Sequence, residues 1–217
     1  MIFRTKSFNI NQPVRSGFLN RTQSFSGRMP ESIDVRASIV TKEISSEEAE
    51  NALMKITQET MSSDWQCSNP LDNEQNKWNT RYNQASGIFY CILARIRSPV
   101  VKKTGILFFA SYFKGVPIGI LQFSPKNKAL TEYPEVDYLA THCGIRNCGV
   151  LLIEYAVNKS QQLGMNGKLT LTPLSGAEPA YFNMGFTYLN SMTLMLNPAA
   201  IKNKWYFIEG RYKYKFF

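Results

Sequence analysis

Between Val136 and Phe186 the chain gathers most of the residue types that can do chemistry. Gly144-Ile145-Arg146-Asn147-Cys148-Gly149 is a turn of small and polar residues, and it opens the apolar run Val150-Leu151-Leu152-Ile153. A turn of this kind ahead of a helix leaves backbone N–H groups without intrahelical partners. The helix dipole adds partial positive charge at the same place, so the two together favour a phosphate-like anion. The N–H groups of Asn147, Cys148, Gly149 and Val150 are the candidates to face it, and Arg146 could add a charge-assisted contact. Glu135 and Asp137 sit two residues apart on a strand-like segment and therefore on one face, where either could take up a proton directly or through water. Glu132 in the preceding loop and His142, the only histidine, are further candidates for a base.

Two other chemistries fit poorly. His142, Cys143 and Cys148 lack a fourth ligand that would complete a zinc set. A Cys143–His142 nucleophilic pair is unfavourable, because neighbours on an extended chain point to opposite faces. Cys67, Cys91, Cys143 and Cys148 read as reduced thiols in a reducing, cytoplasmic compartment.

These residues need elements to position them. Gly105–Phe113 and Val116–Phe123 are two β-rich apolar runs separated by Lys114-Gly115, the pattern of a hairpin. Glu135–Thr141 reads as a strand, Asn147–Gly164 as a helix, Lys168–Pro173 as a strand and Gly176–Met184 as a short helix. Thr187–Leu196 and Trp205–Phe217 supply terminal strands, the latter expected to turn its apolar face inward. Earlier in the chain, Ile33–Val40 alternates as a strand. Ser45-Ser46-Glu47-Glu48 caps a helix whose apolar positions run Ala49, Ala52, Leu53, Ile56 and Met61. Residues 62–86 are polar with three aromatics and read as a long loop or helix-loop region. Ile88–Ile96 fits a strand or a helix.

The 217 residues suit one domain with an appendage, and 44% hydrophobic content supplies a core. No apolar run approaches the roughly 18–20 residues that span a bilayer. The formal charge of +9 favours partners carrying phosphate or carboxylate. Nucleic acid is among these but is not favoured. Up to Pro30 there are basic residues (Arg4, Lys6, Arg15, Arg21, Arg28) and no acid. Residues 1–33 read as a disordered basic arm, equally compatible with a plain tail, an organellar transit peptide or the export signal of a secreted effector delivered to a target-cell cytoplasm.

The block Pro117–Phe186 resembles the GNAT-type N-acetyltransferase superfamily. The Pro117-Ile118-Gly119 step in a hairpin, the strand leading into a glycine turn, the following helix and strand, and Tyr181-Phe182-Asn183-Met184-Gly185-Phe186 match the family's Tyr-x-x-x-Gly-Phe ending in order. The turn aligns with Gly144 in first place, which keeps Leu152, Ile153, Tyr155 and Ala156 in the family's helical phase, or alternatively with Arg146 in first place. The resemblance implies an α/β fold over 34–217, with a mixed, mainly antiparallel central sheet flanked by helices and splayed at the cofactor. It implies acetyl-CoA as cofactor, its pyrophosphate at 147–150 and its pantetheine arm along the main chain of Leu139, Ala140 and Thr141. It places Tyr181 at the family's general-acid position. The implied activity is direct transfer of an acetyl group to a primary amine, on a protein lysine, an N-terminus or a small molecule. Two alternatives remain: a catalytically inactive acyl-CoA- or protein-binding module, and an RNA-directed toxin acetylating aminoacyl-tRNA.

Overall fold

The computed structural model describes residues 38–70, 72–98, 105–125 and 133–216. The arm expected at 1–33, the start of the strand expected at 33–40 and Glu132 lie outside the described residues.

A seven-stranded mixed sheet forms from β1 (Ile39–Ile44), β2 (Leu107–Phe113), β3 (Val116–Ser124), β4 (Glu135–Thr141), β5 (Leu169–Leu171), β6 (Thr187–Tyr188) and β7 (Leu194–Leu196), in the order β1-β2-β3-β4-β5-β7-β6. Only β4 and β5 run parallel; every other pair is antiparallel. Helix α3 (Cys148–Gln162) covers one face, while α1 (Ser46–Lys55) and α2 (Asn73–Arg97) cover the other. α4 (Glu178–Met184) follows β5. This is the mixed, mainly antiparallel, helix-flanked architecture that the family resemblance implies.

Alternation along the strands separates two cores. Phe109, Leu121, Phe123 and Val136 pack with Leu152, Ile153 and Ala156 of α3, whereas Phe108, Ala110, Ile120 and Ala140 pack with Leu53, Phe89 and Ile92 of α1 and α2. β3, in the middle, is buried from Val116 to Phe123. That is why its sequence is almost continuously apolar, as expected of a strand covered on both faces. Its Pro117-Ile118-Gly119 step has a local cause. Pro117, which has no N–H to give, lies beside the irregularity where the β2–β3 register skips Ile118. A Cβ at Gly119 would stand 3.1 Å from Leu152 Cδ1 and 3.1 Å from Thr141 Cγ2, so glycine lets α3 and β4 approach.

Several expectations shift. β1 runs to Ile44, beyond the end expected at Val40. The α1 helix has the expected cap: Ser45 Oγ accepts from the Glu48 N–H, and Glu48 returns a hydrogen bond to the Ser45 N–H. It ends at Lys55 and continues as a π turn over Ile56–Thr60. Residues 62–86 form a helix-loop region: a short 3-10 turn at Ser63–Trp65 precedes α2, which is capped by Asp72 and joins residues 73–86 to the undecided Ile88–Ile96 segment in one 25-residue helix. Its buried positions (Tyr82, Ala85, Phe89, Ile92, Leu93, Ile96) keep a helical spacing, but they crowd into the C-terminal half, which hid the period in the first turns.

Residues 187–196 are two short strands reversed by a turn in which Asn190 Oδ1 accepts from the Met192 and Thr193 N–H groups. The C-terminal segment is not a strand of the main sheet. β8 (Trp205–Ile208) and β9 (Arg211–Tyr214) form a separate hairpin, and only Trp205 and Tyr212 turn fully inward; Tyr206, Phe207 and Ile208 are 44–53% exposed. Side chains anchor it to α3: Asn158 Nδ2 donates to the Tyr212 carbonyl (2.9 Å), and the Tyr212 N–H donates back to Asn158 Oδ1 (2.8 Å). The Glu154 carboxylate accepts from Lys213 Nζ and the Tyr214 N–H.

Among the described residues no helix is long and apolar enough to cross a membrane, and no cluster of His, Cys, Asp and Glu could hold a metal ion. The four cysteines are free thiols.

Candidate active site

The sheet opens between β4 and β5. They share only two register pairs, Glu135 with Thr170 and Val136 with Leu171. β5 then stops ahead of Thr172-Pro173, and proline cannot extend a ladder as a donor. Leu139, Ala140 and Thr141 still pair with Leu121, Ile120 and Gly119 of β3, but among the described residues no strand pairs their other edge. The three residues assigned to the pantetheine arm are therefore the ones beyond the opening.

α3 starts beside them. Asn147 adopts φ 65°, ψ −1°, a left-handed conformation that asparagine tolerates, and its side chain makes no capping hydrogen bond. The first turn carries no acid. Arg146 is exposed, while Cys148 is buried beneath the turn. A Cβ on Gly149 would meet Leu139 Cδ2 at 3.5 Å and Thr141 Cγ2 at 3.9 Å, so the helix N-terminus sits over the open part of β4. Uncapped N–H groups, a neighbouring guanidinium and no nearby carboxylate in the turn suit a diphosphate. The Cys148 thiol is pushed up to about 12 by burial, which removes it as a nucleophile and leaves it a packing group under the cradle.

The two carboxylates separate. Glu135 is on the last paired rungs of β4 and β5. Asp137 is the residue that the β3–β4 register skips between Gln122–Tyr138 and Phe123–Val136, a bulge just beyond those rungs. Such irregularities re-aim a side chain. Asp137 Oδ2 accepts from Gln122 Nε2 at 2.7 Å and Ser124 Oγ at 2.8 Å, leaving Oδ1 without a partner among the described residues. A carboxylate only accepts, so the Gln122 amide must turn its nitrogen to Asp137; its Oε1 is left buried and unpaired. The fold tolerates that unpaired acceptor, at about 1–3 kcal/mol, to keep Asp137 in place.

Tyr181 on α4 is half-buried against the α3-side core, with its ring edge-on to Phe186 at 5.5 Å. Among the described residues its hydroxyl has no hydrogen-bond partner, and burial pushes its pKa up to about 12. The C-terminal segment fixes the end of its helix. Lys204 Nζ donates to the carbonyls of Phe182 and Asn183, Tyr214 Oη donates to Asn183, and buried Trp205 Nε1 donates to Met184. Gly185 closes α4 at φ 101°, where a Cβ would lie 2.8 Å from Ile201 Cδ1. Those contacts explain the Tyr-x-x-x-Gly-Phe spacing: the tyrosine faces the core one turn before a left-handed cap that requires glycine.

His142 does not stand in the opening. It is fully buried, and both ring nitrogens have backbone partners, Nε2 on the Thr60 carbonyl (2.7 Å) and Nδ1 on the Gly144 N–H (3.1 Å). Sequence reading missed Gln122 and Ser124 as partners of Asp137. A polar pair alternating inside the apolar β3 was the available signal.

No family model and no curated protein matches the sequence. Solved structures of similar shape include the PaiA N-acetyltransferase of Thermoplasma acidophilum in complex with coenzyme A, at 16% identity, covering 73% of this chain and 96% of that one, with a TM-score of 0.44. A GCN5-related N-acetyltransferase from Rhodopseudomonas palustris gives 17%, 79%, 99% and 0.45, and the Campylobacter jejuni N-acetyltransferase PseH gives 15%, 74%, 98% and 0.41. All three are N-acetyltransferases. At such identities and TM-scores the likeness is one of shape alone.

Proposed function

We propose that the protein is an acetyl-CoA-dependent N-acetyltransferase that acts on a primary amine by direct attack within a ternary complex. The observation that carries this reading is a coincidence in space: the uncapped N-terminus of α3 sits over the stretch of β4 where β5 has parted from it. A phosphate cradle and an unpaired strand edge side by side suit a cofactor that has a diphosphate at one end and an amide-bearing arm at the other. Acetyl-CoA supplies an acyl group activated as a thioester.

The N–H groups of Asn147 to Val150 and the Arg146 guanidinium hold the diphosphate, and the main chain of Leu139–Thr141 receives the arm. Asp137 is the base. Its Oδ1 takes the proton that the amine sheds as nitrogen bonds to the acyl carbon and the carbon–sulfur bond breaks, while Gln122 and Ser124 hold Oδ2. Glu135, on the paired rungs, is left to shape the entrance. Tyr181 would be the residue that meets the leaving sulfur. A thiol titrates near 8.5, well below a phenol at about 12, so complete transfer from Tyr181 runs uphill. The phenol, protonated throughout the neutral range, therefore acts as a hydrogen-bond donor to the developing thiolate rather than as a free acid. The acceptor is a protein lysine, an N-terminus or a small amine.

Calorimetric titration of the full chain with acetyl-CoA tests the reading: micromolar binding is expected, and no binding at millimolar cofactor overturns it. Tyr181→Phe removes one donor to a charged group and should lower kcat by about 10- to 100-fold. Its affinity for coenzyme A should stay unchanged. Steady-state kinetics on the amine found by a mass-spectrometric acceptor screen, beside a coenzyme A titration, provides the check.

A further inference from the structure

We propose that His142 is a positioning residue that sets the conformation of the cradle turn and ties it to the α1–α2 side of the molecule. The inference rests on reading that turn as the diphosphate site. The Gly144 N–H can only donate, so Nδ1 must present its lone pair; the Thr60 carbonyl can only accept, so Nε2 must carry the proton. The partners thus select one neutral tautomer. Thr60 ends the π turn after α1, so His142 satisfies a carbonyl at a helix end that lies 82 residues away in sequence. On the other side it holds the first residue of the Gly144–Gly149 turn.

The ring is clamped by Trp65, edge-on at 4.6 Å. Trp65 stacks on Trp78 of α2, whose Nε1 donates to the Trp65 carbonyl at 2.6 Å. Gly144 must be glycine for this assembly, since a Cβ there would lie 2.8 Å from Trp65 Cζ3 and 3.3 Å from His142 Nδ1. Contacts therefore run without a break from α2 through Trp78, Trp65 and His142 to the turn that opens α3. A group that fixes the backbone ahead of Asn147 also fixes where the cradle N–H groups point.

Two substitutions divide the two hydrogen bonds. His142→Gln can still donate to Thr60 but offers Gly144 no acceptor; His142→Asn can accept from Gly144 but no longer reaches Thr60. In full-length protein titrated with coenzyme A, the Gln variant should bind about tenfold more weakly than wild type, the cost of one lost hydrogen bond. The Asn variant should bind within about twofold of wild type while melting at lower temperature. Equal affinity of the Gln variant and wild type overturns the proposal, as does a loss of affinity that merely follows melting temperature in both variants. Failure of wild type to bind coenzyme A overturns the cofactor reading along with it. His142 is the only histidine, so its imidazole 15N resonances are unambiguous in the unaltered chain. They should report a proton on Nε2 and a shift at Nδ1 on coenzyme A saturation; a proton on Nδ1, or no response at saturation, overturns the assignment even if a variant does not fold.

Discussion

Gly149→Glu should weaken binding of coenzyme A by at least about a hundredfold while leaving the fold intact. The side chain at 149 leaves the backbone toward Leu139 Cδ2 and Thr141 Cγ2, into the space between α3 and the unpaired edge of β4. A glutamate there would block the path proposed for the arm. It also places a negative charge among the N–H groups that would otherwise hold the diphosphate. The same charge favours the helix, since acids in a first turn oppose the macrodipole and α3 has none. Stability and affinity therefore move in different directions, which separates loss of a site from loss of a fold. A hundredfold loss is about 2.7 kcal/mol. Calorimetric titration with coenzyme A alongside thermal melting measures both, and a variant that binds like wild type would sink the cradle assignment.

Asp137→Asn should lower kcat by about 10²- to 10⁴-fold, the range for removal of a general base. Asparagine is nearly isosteric, and its carbonyl oxygen can still accept from Gln122 Nε2 and Ser124 Oγ, so the bulge and the packing survive. What disappears is the basic Oδ1. KM for acetyl-CoA should hold steady, because no part of the cradle is touched. Glu135→Gln, on the paired rungs of β4, serves as the internal control and should cost less than about tenfold. If the two variants exchange these effects, Glu135 is the base and the bulge is only architectural. The pH–rate profile of the unaltered protein checks the role of the phenol. No descending limb from Tyr181 should follow in the neutral or mildly alkaline range, since burial keeps the phenol protonated there.

Much of this was written into short stretches of sequence, where local physics decides the outcome. The Lys114-Gly115 turn adopts φ 48° and 79°, the positive-φ pair of a two-residue hairpin loop, with glycine at the second position. Glu135–Thr141 forms the strand expected from its pattern, and the α3 helix differs from expectation by a residue or two at each end. Asn147 takes the left-handed conformation, and Ser45 and Glu48 form their reciprocal cap.

Other features depended on partners distant in the chain. Whether Leu139–Thr141 keep a free edge is settled by how soon β5 ends, and Pro173 matters only once β5 lies beside β4. The bulge at Asp137 is a mismatch between residue counts on β3 and β4, invisible in either strand alone. The first turns of α2 look like loop because their polar residues face solvent and the buried side of the helix is concentrated later. The aromatic C-terminus alternates as a half-buried strand would, yet it pairs with itself and docks on α3 through Asn158 and Glu154. His142 has a composition suited to catalysis, and only the arrival of Thr60 on one nitrogen and Gly144 on the other turns it into a strut. Sequence determines local conformation, because capping, turn chemistry and side-chain period act over a few residues. Tertiary structure alone decided which backbone edges stay unpaired and which polar atoms find partners, because those depend on segments that meet only after folding.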